Sequence, residues 1–266
     1  MALPRLVATD LDGTLLRSDG TLSETTIDVL RRVQEHGVRV VIATARPLRW
    51  MDELWAQVGG GHGVGIVSNG AITYDIGSRE VLDHRGIDPA DGLPLAAAIR
   101  ASVPGTAFAL ECLGGFRREP AYVDMHPTPP GVPVGELAEV WDEPAAKVLA
   151  QHLTLDPDDF RSRVLDAVGE QATATWTTDR LMEISAAGVT KGGALAALCR
   201  RLGVTAEDVI AFGDMPNDLP MLAWAGTSYA VANAHPSVLA AADQVTSTND
   251  EDGVARVVAR AFASVI

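Results

Sequence analysis

Apolar residues in this chain fall into two patterns that alternate: short unbroken runs, and stretches where they recur every three or four positions. Leu6 to Thr9, Val38 to Ala43 and Gly65 to Ser68 are rich in Val and Ile without polar alternation, which is how strands buried on both faces of a parallel sheet read. Between the first two, Ser23 is placed to cap a helix whose Ile27, Leu30 and Val33 recur at helical spacing and which Gly37 ends. Between the second and third, Pro47 occupies a first-turn position. Leu48, Met51, Leu54 and Val58 then share one face up to the glycines at 59 to 61. Strand, helix, strand, helix, strand in this order predicts a doubly wound parallel sheet.

The same alternation returns late in the chain. A helix is predicted from about Gly192, carrying Leu195, Leu198 and Leu202 and stopping at Gly203. Val209 to Phe212 reads as a buried strand, Pro220 opens a short helix, and Ser228 to Ala232 reads as a further strand. The intervening stretch differs. It holds Pro127, Pro129, Pro130 and Pro133, a strand-like run from Lys147 to Leu153, and β-like runs at 173 to 178 and 181 to 185. The expectation is an α/β core formed by residues 1–81 and 188–266, with an inserted α+β domain at 82–187.

Composition narrows the function. The chain has 266 residues, 47% of them hydrophobic and 21% charged, which suits a globular protein with a substantial core. Its net charge of -14 argues against nucleic acid or anionic membrane as partner, since both need basic patches. Cys112 and Cys199 lie far apart with no metal-ligand spacing, as expected of reduced thiols. The uncharged stretch from Leu219 to Ala242 is long enough to raise a membrane span, but Pro220, Gly226 and Pro236 break it. With no basic-then-apolar leader evident, a soluble cytoplasmic protein is expected.

The chemistry gathers at strand ends. In open parallel sheets, ligands bind beyond the carboxyl ends of the strands. LVATD delivers Asp10, followed by Asp12 in DLDGTLL; VVIATAR delivers Thr44; VIAFGD delivers Asp214, with Asp218 close behind. A pair of like charges about 4 Å apart costs roughly 4 kcal/mol at an effective dielectric near 20. So many acids on one rim therefore call for a cation or for protonation. An all-oxygen ligand set with room for water and phosphate suits Mg²⁺. Asp10 can attack phosphorus as a carboxylate nucleophile, giving a mixed anhydride that water opens. Asp12, two residues on, can protonate a leaving group and then activate water. Thr44 can donate to a phosphoryl oxygen, and Lys191 can neutralise charge during transfer. Lys191 opens a helix, where its charge opposes the helix dipole, and that unfavourable placement points to function.

DLDGTLL with Asp10 and Asp12, a strand-end Thr44, Lys191, and GDMPND with Asp214, Asn217 and Asp218 together resemble the haloacid dehalogenase superfamily of phosphotransferases. More narrowly the chain is similar to the Cof-like hydrolases, sharing ATAR at 43 to 46, SNGA at 68 to 71, TKGGAL at 190 to 195, GDMPNDLPML at 213 to 222, ANA at 232 to 234 and STNDEDGVA at 247 to 255. The resemblance implies a Rossmann-like core with an inserted cap domain that selects the substrate. It implies Mg²⁺ held by the Asp10 and Asp214 carboxylates and the Asp12 carbonyl, with Asp218 behind them. It further implies phosphate contacts from Thr44 and the Ala45 backbone, Arg46 facing substrate or cap, and Asn217 orienting Lys191 or a phosphate oxygen. Ala45 stands where the family usually has Gly, and Ala232 where a Gly often precedes Asn-Ala.

The activity expected is hydrolysis of small phosphate monoesters, sugar phosphates among them, by a monomer or small homo-oligomer. A phosphomutase would use the same residues. A phosphoacceptor switch has no use for the second acid at Asp12, and a dehalogenase has no leaving group that needs its proton. A silent scaffold would be expected to have lost one of the acids.

Overall fold

The computed structural model describes residues 3–51, 54–55, 63–128 and 130–264. They form two compact units, Met1–Asp83 with Thr190–Ile266, and His84–Val189.

The first unit begins with β1 (Leu6–Thr9), α1 (Glu24–Glu35), β2 (Arg39–Ala43), β3 (Val64–Val67), β4 (Ile72–Asp75) and β5 (Glu80–His84, whose last residue belongs to the second unit). Ser23 caps α1 by accepting the Thr26 N–H at 3.0 Å, and Gly37 follows the helix at φ +82°. After Pro47 comes a single 3₁₀ turn, Leu48–Trp50, and Met51 and Leu54 are buried as the periodicity requires. The rest of the helix expected there, including Val58 and the glycines at 59 to 61, lies outside the described residues.

The second unit contains α2 (Pro89–Ser102), β6 (Ala107–Cys112), β7 (Gly115–Arg118), α3 (Leu137–Val140), β8 (Ala145–Gln151), α4 (Pro157–Val168), β9 (Ala172–Thr178) and β10 (Leu181–Ala186). Its five strands pair antiparallel in the order β7-β6-β8-β10-β9. One sheet face sends Phe108, Leu110, Val148, Ala150, Met182 and Ile184 into a core shared with Ile99 of α2 and Phe160 and Val164 of α4. That is the α+β arrangement of helices on one face of an antiparallel sheet.

The chain then returns to the first unit with α5 (Lys191–Leu202), β11 (Val209–Gly213), α6 (Leu219–Trp224), β12 (Thr227–Ala230), α7 (Pro236–Ala241), β13 (Gln244–Val245) and α8 (Gly253–Ala261). The eight-stranded sheet has the order β13-β12-β11-β1-β2-β3-β4-β5. From β13 to β3 every pair is parallel; β4 turns back antiparallel on β3. Strand order runs one way from β1 through β3 and the other way from β11 through β13, so the switch point lies between β1 and β11. β1 and β2 read as buried runs because the interior of a parallel sheet is covered on both faces. Among the described residues no helix is long and apolar enough to cross a membrane.

Candidate active site

Register places the chemistry. Thr9 pairs with Ile42 on one side and Phe212 on the other. Asp10 therefore emerges one residue past the last pair, and Thr44 and Asp214 lie two residues past it on the flanking strands. Asp10, Thr44 and Asp214 are all buried. The turn after β1 needs Gly13, whose φ is +77° and whose added Cβ would stand 2.4 Å from Asp214 Oδ2. The Thr14 hydroxyl donates to Asp214 Oδ1 at 2.8 Å and fixes that carboxylate's direction.

Lys191 is the first residue of α5, which Thr190 caps by accepting the Gly193 N–H at 3.0 Å. Gly192 brings the helix against α6 so closely that a Cβ there would meet the Pro220 carbonyl oxygen at 2.2 Å. The packing drives the Lys191 side chain inward to 1% exposure. Its Nζ donates to Asp10 Oδ1 at 2.5 Å and to Asp218 Oδ1 at 2.7 Å. The other oxygen of Asp218 accepts the backbone N–H groups of Asp214 and Met215, each at 3.0 Å. Asp218 thus spends both oxygens on protein donors, whereas Asp10 and Asp214 keep acceptor capacity.

Asp10, Asp214 and Asp218 each offer a carboxylate oxygen, and these atoms lie within 4.8 Å of one another. Three acids face one ammonium, and the imbalance shows in the ionisation of Asp10 and Asp214. Burial, with Asp218 and Asp214 adding repulsion, raises Asp10 well above the usual carboxylate range against the pull of Lys191. Burial and the charge of Asp218 push Asp214 up to about 6. Burial alone would lower Lys191, but Asp10 and Asp218 more than offset it and hold the ammonium above its ordinary range. A divalent cation would offset the charge gathered on the three carboxylates, so the donor set fits a hard metal ion.

Asp12 lies apart from this buried group, its side chain 53% exposed, and it pairs with Arg46. Arg46 Nη2 donates to one carboxylate oxygen at 2.6 Å and Nε to the other at 2.8 Å. The guanidinium expected to face substrate or cap is therefore engaged with Asp12. Thr44 Oγ1 accepts the Arg46 N–H at 3.0 Å, which leaves its own O–H to donate. Ala45, between them, is partly exposed. Asn217 donates its amide to Asn69 Oδ1 at 3.0 Å, while the partners of Lys191 are carboxylates.

Three contributors escape a residue-type reading. Thr14 appears in the sequence only as part of a turn, yet it orients Asp214. Ser68 and Asn69 adopt left-handed φ of 51° and 58°, turning their N–H groups onto the Arg46 and Thr44 carbonyls at 2.9 and 3.1 Å. The SNGA motif at 68 to 71 was the one available signal for them.

Comparison with known proteins finds relatives of this chain along nearly its whole length. A family model described as haloacid dehalogenase-like hydrolase matches residues 7–258. A Bacillus subtilis protein named 5-amino-6-(5-phospho-D-ribitylamino)uracil phosphatase YitU is 30% identical over 98% of this chain and 98% of its own length. An HMP-PP phosphatase of Cronobacter sakazakii is 30% identical over 90% of this chain and 88% of its own. The crystal structure of a haloacid dehalogenase-like hydrolase from Bacteroides thetaiotaomicron, 26% identical, superposes with a TM-score of 0.78 over 97% of this chain and all of that one.

Proposed function

The chain belongs to the haloacid dehalogenase-like hydrolases and is a phosphatase of that family, and we propose that it hydrolyses small phosphate monoesters with Mg²⁺ through a phosphoryl group carried on Asp10. The observation that carries this reading is the Lys191 ammonium, buried and bonded to both Asp10 and Asp218 within the acidic cluster. An acidic protein needs such a local cation to accept a phosphate ester.

In the first half-reaction an Asp10 oxygen attacks phosphorus and the bond from phosphorus to the ester oxygen breaks. Asp12 gives its proton to the departing oxygen. Water then attacks the aspartyl-phosphate, Asp12 takes a proton from it, and phosphate and free Asp10 result. Lys191 spends two of its three N–H donors on Asp10 and Asp218, and the third serves a phosphoryl oxygen. Thr44 and the Ala45 backbone bind the same group. Arg46 must leave the Asp12 carboxylate before Asp12 can carry the proton, so we place that release at substrate binding. Asn217, tied to Asn69, braces the turn that carries Asp218.

The residues that would hold Mg²⁺ are Asp10 and Asp214 by their carboxylates and Asp12 by its carbonyl, with Asp218 as support. Bound there, the ion would neutralise charge on the phosphoryl oxygens.

We assign substrate choice to the second unit, because every residue given a chemical role lies in the first. Relatives named for phosphorylated metabolites support a small phosphorylated molecule as substrate. The test is hydrolysis of p-nitrophenyl phosphate by the purified chain. Release of p-nitrophenol that needs added Mg²⁺ and stops with excess EDTA is expected; equal rates in EDTA would sink the metal assignment.

A further inference from the structure

Two stretches singled out in the sequence and unused by the chemistry, Ala232 to Ala234 and Ser247 to Ala255, meet the turn that follows the nucleophile. Asn233 Nδ2 donates to the Gly13 carbonyl at 2.8 Å, and its Oδ1 accepts the Asn249 N–H at 3.0 Å. The second bond fixes which end of the amide faces the turn, since only Oδ1 can accept and only Nδ2 can donate. Asn249, itself buried, donates its side-chain amide to the Leu16 carbonyl at 2.9 Å. Farther along, Asp252 takes Arg17 Nη2 on both oxygens at 3.0 Å, and Asp250 takes the Ser18 N–H and hydroxyl at 2.8 and 2.7 Å.

From inside, the Leu15 and Leu16 N–H groups close on the Leu11 carbonyl at 3.0 and 2.8 Å. The turn is therefore gripped on both sides, and Asn233 holds the residue directly after Asp12. The Asp12 carboxylate is half exposed, so once Arg46 releases it its aim depends on the backbone that bears it. Gly13, with no Cβ and a positive φ, would give that backbone freedom if its carbonyl were released.

We infer that Asn233 is a positioning residue for Asp12: by holding the Gly13 carbonyl, with Asn249 setting its amide, it keeps the acid aimed at the leaving oxygen. The inference rests on Asp12 as the proton donor of the reading above. A misplaced acid harms esters whose leaving oxygen is strongly basic and spares those whose leaving group departs unprotonated.

The experiment compares kcat/KM for p-nitrophenyl phosphate with that for accepted alkyl phosphates in the wild type, Asp12→Asn, Asn233→Ala and Asn233→Asp. Asn233→Asp keeps an acceptor for the Asn249 N–H but turns an oxygen toward the Gly13 carbonyl, so it tests the contact should the alanine variant fold poorly. Both Asn233 variants are expected to lose about 10- to 100-fold on alkyl phosphates. On the aryl ester they should lose less than about threefold, since that leaving group needs little acid catalysis. Asp12→Asn should show the same selectivity more strongly. Equal losses on both ester classes, or none, in Asn233 variants while Asp12→Asn remains selective would overturn the positioning role and leave the acid standing. Unselective loss in Asp12→Asn would remove the acid and the inference with it.

Discussion

Asp218 holds Lys191 from behind: one carboxylate oxygen lies 2.7 Å from the ammonium, with both side chains buried, while the other binds the backbone of the loop that bears Asp214. Removing Asp218 leaves Lys191 paired with Asp10 but takes the acceptor from one of its N–H groups and from the Asp214 and Met215 N–H groups. Asp218→Ala is expected to cost about 1–3 kcal/mol of stability, the usual penalty for leaving buried donors without their acceptor. Urea unfolding of the two proteins checks this, and a loss under about 1 kcal/mol would mean that Lys191 does not depend on it.

The proposed mechanism sets Lys191 on the phosphoryl group, the part that all substrates share. Lys191→Ala should therefore lower kcat by a similar factor for every phosphate ester, about 100-fold or more if its charge stabilises the transferring group. Substitutions of polar residues in the second unit, such as Glu111 or His126, should instead change KM and substrate ranking. Rates for these variants over several esters decide it, and a Lys191→Ala loss confined to one substrate would refute the division.

Asp10→Asn should abolish turnover and leave the fold intact, because an amide cannot serve as the nucleophile. Circular dichroism checks the fold. Trapping with beryllium fluoride should place the phosphoryl mimic on Asp10 of the wild type; label on Asp214 would overturn the assignment.

Asp214 ties stability to pH. Its carboxyl ionises near 6 in the folded chain against an ordinary value of 3.8, so between these pH values the folded, metal-free chain binds more protons than the unfolded one. This group's contribution therefore falls as pH rises through that window, is absent as a cost below it, and reaches its full cost above about 6. In EDTA, Asp214→Asn should raise the melting temperature at pH 7.5 by several degrees, the amide oxygen still accepting from Thr14, with the gain shrinking by pH 4. A gain that is the same at both pH values would show that ionisation is not its source.

Gly13 leaves the space that the Asp214 carboxylate occupies. Gly13→Ala puts a Cβ 2.4 Å from Asp214 Oδ2 at a backbone angle that alanine resists. The expected result is a lower melting temperature and loss of the rise that Mg²⁺ should give the wild type. Calorimetric melting with and without Mg²⁺ measures both, and an unchanged Mg²⁺ response would take Asp214 out of the metal site.

The central strands, and the residues they deliver, can be read from the apolar pattern of the chain alone. β1, β2 and β11 are unbroken apolar runs because the middle of a parallel sheet is covered on both faces, and parallel strands end on the same edge. Asp10, Thr44 and Asp214 could therefore be assigned to one rim before any coordinates. The marginal elements were not legible. β4, β5 and β13 are short outer strands that owe their form to a neighbour more than to their own residues, and α2 carries Pro94 in its interior. The pairings come from packing: Lys191 between Asp10 and Asp218, Arg46 on Asp12, Asn217 on Asn69, and Asn233 on Gly13. Each joins residues far apart in the chain, and which donor finds which acceptor depends on distances of a few tenths of an ångström that packing sets, as when Gly192 lets α5 close on α6 and carries Lys191 inward.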